Sequence, residues 1–369
     1  MRPTDPAPAA LPPPVAPPLD APAASDVPLG APASVEPRAD AAGPGLESAQ
    51  IVLEPCAVAL GRHAEAPADI PWPGWKAVLR RVFIEMLTDR VSLVAAGCAF
   101  YATLALFPAI SMLISVYGLM FDPATVEPQL EVLRSLLPPS AWSLISERVH
   151  TLVTRQPGSL GLHLLFNTAV TLWSSATGTK SIIAALNVAY EERERRSFLH
   201  FQLLSFAITL MAIVSATIGL SLLVGLPAVL AGLGIDTHQT MLIRAVSFGL
   251  LVLAILVGLS LLYRYGPSRE RPRWRWVTPG SVVATVLWVV VSALFSMYVA
   301  QFATYDATYG PLGTVVGVMM WFFVTVYAVL LGAELNAELE LQTARDSTHG
   351  PPKPMGARGA YVADHVAED

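Results

Sequence analysis

The residues that could do chemistry in this chain of 369 are few and scattered. The seven histidines stand at 63, 150, 163, 200, 238, 349 and 365. None forms an HxH or HExxH pair, so no ligand set for metal-assisted hydrolysis is visible. There is no GxSxG elbow, no P-loop and no GxGxxG turn, and so no nucleophile or phosphate cradle of a known kind. Cys56 and Cys98 make no CxxC, and Cys98 reads as a small buried hydrophobe. The expectation is no catalytic residue, no metal and no cofactor, hence not an enzyme.

Polar groups inside apolar runs are the better candidates, because each must find a partner or line water. Asn167, Thr171, Ser174 and Gly178 fall at i, i+4, i+7 and i+11, one small polar face of a helix. Two readings stay open for it: hydrogen-bonded helix packing, which is favoured, and the wall of a polar cavity. Tyr101 and Thr103 precede Pro108, which frees the Leu104 carbonyl and predicts a kink. With Tyr309 they complete the substrate-pathway candidates. Glu334 and Glu338 lie one turn apart where the last apolar run ends; with Asn187 and Asn336 they are candidates for a cytoplasmic mouth or gate. A solvated helix end is the plainer alternative. Gly310, Gly313 and Gly317 share a face, and the GxxxG pair would let another backbone approach, within the chain or in a homo-oligomer.

The elements that must position these groups are long apolar helices. Only 14% of residues are charged, 54% are hydrophobic, and the mean hydropathy is +0.54. An ordinary soluble domain has about 25% charged residues. Six runs free of Asp, Glu, Lys and Arg cover 91–121, 156–179, 197–235, 245–263, 276–305 and 307–333. Each suffices for about 20 helical residues across a bilayer. The fold class is therefore an all-α polytopic membrane protein with six transmembrane helices. The expected spans are about 92–120, 160–179, 198–224, 242–263, 278–303 and 310–333, within a domain of residues 71–340. Residues 1–70, with nearly half of the 31 prolines, are expected to be a disordered tail, and 341–369 a flexible cytoplasmic one.

Amphipathic stretches flank the spans. In the first, Trp75, Val78, Leu79, Val82, Phe83 and Met86 share a face, as in an interfacial helix. Two more are expected in the outer link 122–159. Basic residues before the first run, between the second and third, and between the fourth and fifth put both termini in the cytoplasm. Arg244 is the discordant charge. The stretch Arg269–Trp276 mixes basic and aromatic residues as RNA-binding segments do, yet anchoring to anionic headgroups explains it, so the bilayer and no nucleic acid is the expected partner.

Several stretches together resemble the YihY/virulence factor BrkB family of bacterial membrane proteins. They are Ala99–Pro108, Leu172-Trp173-Ser174-Ser175, Ala185–Tyr190, Val277–Gly280, Tyr309–Thr314 and Gly332–Glu338, in order and at matching spacing over about residues 76–340. Ala105 departs from the serine usual before Leu-Phe-Pro. The resemblance implies six transmembrane helices with cytoplasmic ends in the bacterial inner (plasma) membrane. It also implies a transporter or flippase-like protein for an envelope lipid or other amphiphilic substrate. Alternatives are a scaffold that recruits a partner, and a membrane-bound hydrolase in keeping with the ribonuclease BN label once given to some members.

Overall fold

The computed structural model describes residues 58–120, 162–222, 237–302 and 311–367. These are helical, with one isolated bridge between Pro272 and Thr348. After a 3₁₀ turn at Pro67–Asp69 come α1 (Trp72–Thr88), α2 (Val91–Met120), α3 (Leu162–Ala189), α4 (Phe198–Leu220), α5 (Thr237–Tyr265), α6 (Trp274–Phe302), α7 (Pro311–Leu341) and a short α8 (Tyr361–Asp364).

Four segments are long and apolar enough to cross a membrane: Phe198–Gly219, Ala245–Tyr265, Trp274–Tyr298 and Val315–Leu341. A shorter apolar segment, Val91–Leu106, belongs to α2. Within α2–α6 many hydroxyls turn back on their own helix. Thr103, Ser175, Ser205, Thr209, Thr217, Ser260, Ser281 and Thr285 each donate to the carbonyl four residues earlier, at 2.7–2.9 Å. A hydroxyl satisfied this way can face apolar surroundings at little cost.

Each long helix packs on the next in chain order, and α7 returns to pack on α2. The most extensive contacts are α2 with α3 and α6 with α7. Small residues allow both. A Cβ on Gly178 would stand 3.4 Å from Ala102 Cα and from Ala105 Cβ. A Cβ on Gly332 would stand 2.6 Å from the Gly280 carbonyl oxygen, so α6 and α7 cross with no room for a side chain. Gly317, read from its GxxxG spacing as a contact glycine, has open space where its Cβ would be. The close crossing lies four turns further along, because facing partners are set by the fold and not by spacing within one helix.

Other boundaries differ from the sequence expectations. The helix expected to end near 179 runs to Ala189, and that expected to end near 333 runs to Leu341. Absence of charge marks apolar surface, whereas a helix continues until its backbone is capped or broken. Pro108 lies inside a continuous α2. Residues 58–70 and 341–367, expected within free tails, are tied to the helix ends. The Gln342 side chain donates to the Leu60 carbonyl at 2.7 Å, Thr343 Oγ1 to that of Ala64 at 2.7 Å, and the Ala344 amide to that of Arg62 at 2.8 Å. The Tyr361 amide reaches Glu192 at 2.7 Å, and Arg358 donates to the carbonyls of Ala363 and Ala344. Backbone hydrogen bonding leaves little hydropathy signal.

On α1 the expected single apolar face is divided. Val78, Val82 and Met86 are buried, and Trp72, Leu79, Phe83 and Leu87 are exposed. The outer link 122–159, Tyr309, Gly310 and the side chains of Asn167 and Arg244 lie outside the described residues.

Candidate functional site at the end of α7

The last three turns of α7 read Glu334-Leu335-Asn336-Ala337-Glu338-Leu339-Glu340-Leu341-Gln342. At 100° per residue, positions 334, 338 and 342 share one face, and 336, 340 and 343 another. All six side chains belong to buried residues. A solvated helix end is therefore not what forms here.

On the face with Asn336 the polar side chains of α7 are each held by partners. Asn336 accepts from the Gly280 amide at 2.8 Å and donates to the Val277 carbonyl at 3.1 Å, spanning the turn of α6 that contains Pro279. Glu340 accepts from Arg269 at 2.6 Å and from Ser347 at 2.6 Å, with both side chains of the ion pair 0% exposed. The Arg269 guanidinium also stacks over the Tyr190 ring at 4.4 Å. Burial pushes the Tyr190 phenol above its ordinary range, against the pull of Arg269. Nearby, Asn187 donates to Glu194 at 3.1 Å and accepts from the Ser268 amide at 2.8 Å, pinning the end of α3 to the α5–α6 link.

The opposite face meets α1. Glu338 accepts from Arg81 Nε at 2.5 Å, and the same guanidinium reaches Gln342 at 2.6 Å. Glu334, one turn earlier, is 2% exposed, and its Oε1 has no hydrogen-bond partner among the described residues. The charges that act on it most are Asp89, Glu338, Glu85 and Glu191, four carboxylates. Asp89 follows α1, and burial raises its pKa from 3.8 to about 6, helped by Glu85 and Glu191. Two left-handed residues, Arg90 (φ 50°) and Glu191 (φ 52°), shape the turns that bring these acids together. Non-glycine residues are uncommon in that region and mark constrained turns.

Of the four mouth candidates, all are buried around this end of the bundle, with three held by partners and Glu334 left with an open oxygen. Among the pathway candidates, Tyr101 is exposed and packs edge-on against Phe100, and Thr103 is bonded to the Ala99 carbonyl. Thr171 and Ser174 are half-buried, and the buried hydroxyl of that turn is Ser175. Among the described residues, one side-chain hydrogen bond joins α3 and α4, Thr179 to Thr209 at 2.7 Å. Sequence reasoning missed Arg81, Arg269, Glu340, Gln342, Tyr190 and Asp89. The alternate spacing of Glu338, Glu340 and Gln342 was the available signal, since it demands polar partners on two faces. Which links supply them is a tertiary fact. The described residues contain no group of three or more His, Cys, Asp or Glu able to hold a metal ion.

Long apolar helices that bury their few ionisable groups in paired clusters define an integral, helical membrane protein. The chain belongs to the virulence factor BrkB family, whose model matches residues 82–356. It is 32% identical to the ribonuclease-like protein YfkH of Bacillus subtilis over 66% of this chain and 88% of that protein. It is 27% identical to a UPF0761 membrane protein of Idiomarina loihiensis over 60% of this chain and 75% of that one. A third relative, a UPF0761 membrane protein of Pseudoalteromonas translucida, is 21% identical over 74% of this chain and 89% of its own length. No solved structure matches the chain.

Proposed function

We propose that the chain is a six-span inner-membrane protein with both ends cytoplasmic, moving an envelope lipid or other amphiphile as a transporter or flippase-like protein. Six long helices in a sequential ring support the six-span reading. The links rich in Arg and Lys before α2, between α3 and α4 and between α5 and α6 are joined at one end of it by Arg81–Glu338, Arg269–Glu340 and Asn187–Ser268. That is the distribution of a cytoplasmic side.

The observation carrying the transport reading is Glu334. An ionisable group buried within an apolar helix, with an oxygen left open, serves packing poorly and suits a path or gate. The rims of that path would be Asn187, Asn336 and Glu338 at the cytoplasmic mouth. Tyr101, Asn167, Thr171 and Ser174 would line it deeper in the bundle.

The test is reconstitution of the purified full chain with a fluorescent phospholipid analogue, following its movement between leaflets. Movement faster than in empty vesicles, slowed severalfold by Glu334→Gln, is expected. Rates equal to those of empty vesicles would overturn transport. An unaltered rate in Glu334→Gln would remove Glu334 from the path.

A further inference from the structure

Arg264 stands in the last turn of α5 and is 6% exposed. Its Nε and Nη1 are buried and have no hydrogen-bond partner, and no ion pair is formed by it among the described residues. What surrounds it is aromatic: the Trp274 ring at 4.4 Å and the Tyr265 ring at 5.7 Å. A buried carboxyl can shed its charge by taking a proton, but a guanidinium keeps its charge in any protein environment. Cation–π contacts recover only part of the cost of removing that charge from water. The arrangement lacks an anion.

The neighbourhood is built to receive one. Arg271 lies over the same Tyr265 ring at 5.1 Å. The Arg196 guanidinium donates to the carbonyls of Tyr265, Gly266 and Pro267 and stands 3.8 Å from Glu194, whose other oxygen accepts from the Arg196 amide at 3.0 Å. Three guanidiniums thus gather around Tyr265–Pro267, and among the described residues Glu194, beside Arg196, is the one acid in ion-pair contact with any of them.

The same site sits at the head of an apolar track. Leu253 and Val257 are exposed on α5, and Arg264 follows them by eleven and seven residues, three and two turns, on the same face. Arg264 is buried although it follows that exposed face, and the ring of Trp274, itself exposed at the start of α6, lies against it. Both residues lie at the ends of apolar segments, Ala245–Tyr265 and Trp274–Tyr298, where headgroups and aromatic belts are found.

We infer that Arg264, roofed by Trp274 and flanked by Arg271, binds the phosphodiester of an anionic phospholipid whose acyl chain lies along Leu253 and Val257. Binding requires the indole of Trp274 to move aside and the guanidinium fork to take the phosphate oxygens bidentately. The site is independent of whether the bundle transports anything.

The test uses the purified full chain in neutral detergent, titrated with phosphatidylglycerol, with phosphatidylcholine of the same chains, and with inorganic phosphate. The readout is the midpoint of thermal unfolding. A saturable rise with phosphatidylglycerol is expected, with little from the other two. Arg264→Gln should raise the half-saturating concentration about tenfold or more, the loss of a charge-assisted pair. A wild-type response in Arg264→Gln, an equal rise with phosphatidylcholine, or the same rise with inorganic phosphate would each overturn the assignment. A second measurement leaves Arg264 in place. Brominated phosphatidylglycerol should quench tryptophan fluorescence saturably, and Trp274→Phe should remove most of that saturable part. Unchanged quenching in Trp274→Phe would also overturn it.

Discussion

The two faces at the end of α7 treat their carboxylates in opposite ways. Toward the α5–α6 link, Glu340 is matched by Arg269 and Ser347, and both side chains of its ion pair are fully buried. Toward α1 and α2, Arg81 is taken by Glu338, and Glu334 has no ion pair among the described residues, with Asp89 and Glu338 the charges that act on it most. The first arrangement fixes a structure. The second leaves a buried carboxyl without a counter-ion, and natural proteins keep such groups chiefly where they act. Burial alone would not have separated the two.

The contrast is most sharply tested by removing one carboxylate from each face. Glu340→Ala leaves Arg269 buried without its counter-ion, a loss of about 3–5 kcal/mol when a buried pair is broken. Loss of folded protein, or a large fall in the thermal midpoint in detergent, is expected. Glu334→Gln removes no pairing partner, so its midpoint should equal or exceed that of the wild type. A midpoint falling as far in Glu334→Gln as in Glu340→Ala would erase the distinction.

Next in size is Asn336→Ala, which strands the Gly280 amide and frees the Val277 carbonyl on the tied face. It should cost about 1–3 kcal/mol, read as a lower denaturation midpoint with the helical circular dichroism retained.

Smaller is the pH response of the acidic face. Asp89 titrates near 6 when folded, against 3.8 when free. The folded protein therefore binds more protons than the unfolded chain between those values, and stability from this group declines as pH rises from about 4 to 6. Asp89→Asn should flatten that decline in a series of thermal midpoints, and an identical profile would argue against a buried acid there.

The smallest effect belongs to the interhelical Thr179–Thr209 hydrogen bond. Thr209→Val should cost about 0.6 kcal/mol, the scale of such bonds between membrane helices. A loss several times larger would mean that α3 and α4 depend on that contact more than their packing suggests.

Much of this was readable beforehand. The uncharged runs locate α4 to α7 to within a turn or so at several ends. The acids at 334 and 338 announce a polar helix end. Less legible was the extension of α3 to Ala189, because Lys180 interrupts the apolar run. Its ammonium lies over the Trp173 ring at 4.4 Å, one way for a charge to stay in such a helix. Arg264 counts in the sequence only as one of the basic residues of the link between the fourth and fifth runs, which set orientation. Its isolation from any acid depends on which helices meet.

What the sequence by itself determined was the solvent of the chain and its secondary structure. Apolar length and the positions of charges follow from composition along one dimension, and the family likeness follows from motifs in order. The tertiary structure alone decided which charges are neutralised. Glu340 meets Arg269 across 71 residues and Glu338 meets Arg81 across 257, while Glu334 and Arg264 form no ion pair among the described residues. Electrostatic energy depends on distance through space and on burial, and neither is a property of position along the chain.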